Sequence, residues 1–107
     1  MIRNLKLKKN CKIFTFCYNY QSLALAKVLR TKKFNFQGHI DNNYLLLNKN
    51  KTSEKIISPK FLGNKNSNFK QGVVVIITNQ SKKNIKSITE QLIRIGVPKK
   101  QILFQIF

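Results

Sequence analysis

Apolar residues change their spacing several times along this chain, and each change predicts an element. Ile13, Phe14 and Phe16 form a short β-prone run. From Gln21 to Thr31 the apolar residues Leu23, Ala26 and Leu29, with Ala24 and Val28, fall at helical spacing. Phe34, Phe36, Gly38 and Ile40 then alternate with polar residues, as a half-buried strand does. Asp41-Asn42-Asn43 reads as a turn, and Tyr44 to Leu47 as the second strand of a hairpin. Glu54 to Ser58 supplies another short strand, closed by Pro59.

The second half has a different texture. Lys60 to Gln71 is polar, holds Gly63 and three asparagines, and reads as a connector. Gly72 opens the most apolar stretch, Val73 to Ile77, whose β-branched residues predict a strand buried on both faces. A polar, basic loop follows from Thr78 to Asn84. Ser87 and Glu90 fit a capping box at the start of a helix, with Ile85, Ile88, Leu92 and Ile95 as its apolar stripe. Gly96 ends that helix, and Gln101 to Phe107 reads as a closing strand. The pattern predicts an α+β fold of two small α/β halves packed together. Residues 1–62 form an N-terminal half, a helix with short strands; residues 63–107 form a C-terminal half, a mixed sheet with a short helix.

Charge changes the picture. Twenty-one Lys and Arg stand against three Asp and Glu in 107 residues, a net charge of +18. Codon drift toward adenine accounts for abundant Lys, Asn, Ile and Phe, but not for the missing acids. So small a body repels itself unless a polyanion neutralises it. Nucleic acid suits better than a membrane: the longest apolar run, Val73 to Ile77, is five residues, where a spanning helix needs ~20. The spacing of Cys11 and Cys17 matches no zinc ligand pattern. Asp41, Glu54 and Glu90 are the sole carboxylates and His39 the sole histidine, so no acid–base pair, metal cluster or phosphate loop is evident. A binding module with no cofactor and no small-molecule substrate is expected, rather than an enzyme.

The order of motifs resembles the universally occurring ribosomal protein number eight of the small subunit. Ile2-Arg3-Asn4 stands where that family carries Ile-Arg-Asn, and Ala26-Lys27-Val28-Leu29-Arg30 with Phe34-Asn35-Phe36 matches its helix and following strand. Ile57-Ser58-Pro59 is similar to its Ile-Ser-Lys-Pro. Gly72 to Ser81 parallels its signature of Gly, β-branched strand and Ser-Thr-x-x-Gly, with Ile77 for the Ser and, for the Gly, Ser81 or, with an insertion in the loop, Asn84. Ser87-Ile88-Thr89-Glu90, Gly96-Val97 and Leu103 to Phe107 complete the match. The family's first helix is largely missing.

The resemblance implies a structural constituent of the small ribosomal subunit that binds the central domain of its rRNA beside neighbouring ribosomal proteins. It implies that Thr78, Asn79, Gln80 and Ser81 form a polar loop reading irregular RNA, with Lys82 and Lys83 on adjacent phosphates. Arg3, Asn4 and Lys6 would serve the N-terminal half, Lys27 and Arg30 its helix, and Ser58 the junction. Composition and the short N-terminus suggest a mitochondrion, with a plastid or bacterial cytoplasm as alternatives.

A rival reading comes from Lys12 to Asn43. Strand, turn, helix and a second strand ending in Asp41 also describe a dinucleotide-binding unit, in which an acid stands ~20 residues after the turn. The positions that should be glycine are Cys17, Asn19 and Ser22. Without glycine the backbone cannot approach a pyrophosphate closely, so this alternative is a degenerate, Rossmann-like domain without catalytic activity.

Overall fold

The computed structural model describes residues 10–50, 52–63 and 72–104. Its helices and five-stranded sheet bear out the expectation of a mixed α and β fold. The strands are β1 (Lys12–Phe16), β2 (Asn35–Ile40), β3 (Ile56–Ile57), β4 (Val73–Ile77) and β5 (Ile102–Phe104), and the helices α1 (Tyr20–Thr31), α2 (Tyr44–Lys49) and α3 (Lys82–Ile95). The sheet order is β3-β2-β1-β4-β5, and every neighbouring pair is parallel.

That order corrects the expected division into two separately sheeted halves. β4 pairs with β1 from Lys12↔Val73 to Phe16↔Ile77, across the expected boundary. The physical reason is burial. Val73, Val75 and Ile77 pack on one face of the sheet and Ile76 on the other. A strand apolar on both sides belongs in the centre of a parallel sheet, beside one that is equally apolar. Nor is the C-terminal part mixed, since α3 carries the chain back so that β5 runs parallel to β4.

Two cores result. On one face Leu25 and Leu29 of α1 meet Ile13 and Ile76. On the other, Ile88 and Leu92 of α3 and Leu62 cover Phe14, Phe16, Val75 and Ile77. The α1 stripe is shifted from the expected one: Ser22, Leu25, Ala26 and Leu29 face inward. For α3 the expected stripe holds, with Ile85 and Ile95 packed at its margins.

Local chemistry explains the other departures. The β1–β2 register slips between Ile13 and Phe14, leaving Gln37 without a partner in the ladder. This bulge reverses the phase of β2, so Phe36 packs on the α1 face while Ile40 joins the α3 face. Gly38 makes the distortion possible: at φ +152 a Cβ would stand 2.8 Å from Ile57 Cδ1 and 3.0 Å from the Lys55 carbonyl oxygen. The expected hairpin does not form. Tyr44 to Leu47 lies in α2, because three consecutive leucines have no alternation and favour helix. β3 is only Ile56–Ile57, and Pro59–Gly63 in the expected connector is a 3-10 helix; 64–71 lie outside the described residues. Finally, α3 begins one turn and more before Ser87. Ser81 is its N-cap, accepting from the Asn84 amide, and Ser87 is an exposed residue within the helix.

Candidate binding crevice and basic surface

In an open parallel sheet a ligand crevice lies outside the strand carboxyl ends where the winding reverses. Here that point is between β1 and β4, which places the β1–α1 turn, Asp41 and Thr78 around it.

The chain makes hydrogen bonds of its own across this point. Cys17 takes a positive φ of 88, in the region that glycine adopts most easily. Asn19 caps α1: its Oδ1 accepts from the Ser22 amide at 2.9 Å, while its own amide donates to Ser22 Oγ at 2.8 Å. The Asn19 side-chain Nδ2 donates to the Thr78 carbonyl at 2.7 Å, a strut across the switch point. Asp41 accepts from the Tyr18 amide at 2.9 Å and the Asn43 amide at 2.8 Å. Each carboxylate oxygen thus holds one backbone amide. At the helix start the Asn19, Ser22 and Leu23 amides are bonded within the chain, and the acid that a dinucleotide would use holds the Tyr18 and Asn43 amides.

Thr78, expected to read RNA, is fully buried. Its hydroxyl lies 3.0 Å from the Phe16 carbonyl and 2.9 Å from that of Cys17, and donates to them. Such a hydroxyl is a clasp between β4 and β1. Asn79 Oδ1 accepts from the Ser81 amide at 2.9 Å, and its Nδ2 sits 3.8 Å from Cys17 Sγ. Burial pushes the Cys17 thiol pKa up; the Asn79 contact opposes this and the Asp41 charge adds to it.

The remaining expected RNA-binding residues do not gather in one place. Gln80, Lys82 and Lys83 are exposed beside the β4 end. Lys27 and Arg30 are exposed on α1, over the opposite sheet face from α3. Ser58 follows β3, where its Oγ accepts from the Lys60 amide. Arg3, Asn4 and Lys6 lie outside the described residues. With Lys82 and Lys83 in its first turn and no acid there, α3 opens with cations where the helix dipole favours anions.

A polar chain that the sequence did not reveal crosses the α1 side. Thr15 Oγ1 is 2.6 Å from His39 Nδ1, and His39 Nε2 is 2.9 Å from Glu54 Oε1. Glu54 is gripped by both terminal nitrogens of Arg30, at 3.1 and 3.2 Å. Phe36 and Tyr18 flank the imidazole edge-on. Thr15 and His39 are completely buried, and the imidazole links β1 to Glu54 as a structural group. Burial lowers the His39 pKa, against the raising effect of Glu54. The Arg30 hydrogen bonds hold Glu54 below the usual carboxylate range, opposed by burial. The one available signal was scarcity: an acid in so basic a chain has a specific partner.

No protein-family model matches the chain, and neither a curated protein nor a solved structure matches it.

Proposed function

We propose that this chain is a non-catalytic binding domain, built on a Rossmann-type sheet with a closed crevice, whose basic surface engages RNA. The observation that carries the reading is where the acids go. Asp41 is committed to backbone amides and Glu54 to His39 and Arg30, so two of the three acids are bound within the fold of a chain whose net charge is +18. Phosphate contacts release counterions and supply affinity without a preformed pocket. The turn weighs against a dinucleotide: Asn19 is tied to the Thr78 carbonyl, Asp41 to the Tyr18 amide, and Cys17 stands where a glycine would be needed.

Binding of an RNA fragment across a salt series tests this. The logarithm of affinity should fall linearly with the logarithm of salt concentration, by roughly 0.7–0.9 per phosphate neutralised. Replacing Lys82 and Lys83 by Ala should flatten the slope by about one unit for each phosphate interaction removed. Saturable binding of a nicotinamide dinucleotide with no affinity for RNA would overturn the reading.

Membership of a small ribosomal subunit, mitochondrial or otherwise, is the narrower form of the same proposal. The motif order from Ile2 to Phe107 and the charge support it. The single parallel sheet departs from the two halves that the apolar pattern and the compositional break at Lys60 to Gln71 predicted, and the fold lends this narrower form no support. Sedimentation of cell extract, with and without a chelator that splits ribosomes, tests it: the protein should follow the small subunit.

A further inference from the structure

On the sheet face covered by α3, a cavity of 620 Å³ opens beside the carboxyl ends of β2 and β3. Its walls come from the loop after β2, the 3-10 helix after β3 and the last turns of α3. It shares no lining residue with the crevice between β1 and β4. A concavity of this size lies within the range of about 300–1,000 Å³ that small-ligand sites occupy.

Its chemistry is specific. Lys60 and Arg94 line it, and among the described residues no carboxylate does. A Lys and an Arg in the lining of one hollow favour an anion, and the planar guanidinium fork suits phosphate in particular. Asn42 and Gln91 join the β2 end to α3 through a reciprocal amide pair, Gln91 Nε2 to Asn42 Oδ1 at 2.9 Å and Asn42 Nδ2 to Gln91 Oε1 at 3.3 Å. Each amide retains one N–H and acceptor capacity beyond that pair. Paired donors and acceptors of this kind complement the edge of a nucleobase. Buried Pro59 and half-buried Ile95 give an apolar lining, and Tyr44 adds an aromatic ring on which a base can rest. The cavity is larger than a bare phosphate needs, and its lining joins apolar surface to two cations.

We propose that this cavity binds a nucleoside monophosphate unit, with the phosphate between Lys60 and Arg94 and the base against Tyr44 and the Asn42–Gln91 pair. A free nucleotide and the phosphorylated end of an RNA strand present the same unit. The inference does not depend on the basic surface engaging long RNA.

Titration of the isotope-labelled chain, followed by amide resonances, tests it with AMP, UMP, adenosine, uridine and inorganic phosphate. AMP or UMP should give saturable shifts at Asn42, Ser58, Lys60, Gln91 and Arg94. The matching nucleoside and inorganic phosphate should each bind at least about tenfold more weakly, the loss expected when one charged group or the base is removed. Arg94→Gln and Lys60→Gln should each weaken the nucleotide by about tenfold, while Arg94→Lys retains part of the affinity. Both side chains are exposed, so an unchanged melting temperature will show that the variants fold. Short oligonucleotides with and without a 5′-phosphate separate the sources: preference for the phosphorylated end assigns the site to RNA termini, and AMP or UMP binding better than both assigns it to free nucleotide. Absence of saturable nucleotide binding would overturn the proposal, as would shifts confined to Cys17–Ser22 or binding that survives the double Gln variant. Affinity of that double variant for long RNA reports separately on the basic surface.

Discussion

Thr15, His39, Glu54 and Arg30 form a continuous hydrogen-bonded line from the middle of β1 to the surface of α1. Glu54, held ionised by Arg30, only accepts, so His39 Nε2 carries the proton and Nδ1 accepts from the Thr15 hydroxyl. A neutral imidazole therefore satisfies every group, in agreement with the lowered His39 pKa. Thr15→Val keeps the shape but leaves a buried Nδ1 without its donor. Thermal or denaturant melts should show a loss of ~1–3 kcal/mol; an unchanged midpoint would remove the hydroxyl from the account. The sign of the pH dependence follows. In the unfolded chain His39 takes up a proton around its ordinary value of 6.5, and in the fold only at lower pH. Its contribution is complete above 6.5 and is lost as the pH falls through the depressed folded value. Glu54 acts in the same direction lower down, its contribution present above 4.5 and lost as pH falls through its own lowered value. Melting temperatures measured downward from neutral pH should decline in these two stages, and His39→Gln should abolish the first. Persistence of the first stage in that variant would place the titration elsewhere.

At the scale of elements, helix α3 separates what pattern reveals from what geometry decides. Ser87 and Glu90 have capping-box spacing, but Ser81 lies one turn and more earlier and caps in fact. Ser81→Ala should cost about 1 kcal/mol, while Ser87→Ala should be neutral or slightly stabilising, because Ala is the better residue inside a helix. The reverse order in paired melts would restore Ser87 as the cap. The stripe of Ile88 and Leu92 and the left-handed Gly96 were legible, since both follow from helical period and glycine geometry. So was the two-sided burial of Val73 to Ile77. Strand pairing was not legible, because an apolar run states that a strand is central without naming its neighbour. The bulge at Gln37 was hidden for a related reason: period two places Phe36 and Ile40 on one face, and a single extra residue puts them on opposite faces. The site divides likewise. Missing glycines at Cys17, Asn19 and Ser22 announced a turn unable to cradle a pyrophosphate. The pairing of Asn42 with Gln91, and of Glu54 with His39 and Arg30, joins residues far apart in sequence and needed the fold.

For the whole molecule, the decisive comparison is between its size and the reach of its charges. The principal extents are 32 × 30 × 27 Å. At ~0.01 M salt the screening length is about 30 Å, so every surface cation acts on every other; at ~0.15 M it is about 8 Å and acts only on near neighbours. Attraction within the fold runs the opposite way, but among the described residues the Arg30–Glu54 bridge is a partly exposed pair, and it is set against a net charge of +18. Repulsion wins, and salt should stabilise. The melting temperature should rise between these two ionic strengths and then level off, whereas a fold held by ion pairs loses stability over the same range. RNA should replace salt in this role, raising stability by about 2.7 kcal/mol at a hundred times its dissociation constant. The gain should be greatest in dilute buffer, where the affinity is highest. A melting temperature that fell with added salt would mean that the cations are internally compensated, and the argument from charge to a polyanionic partner would fail with it.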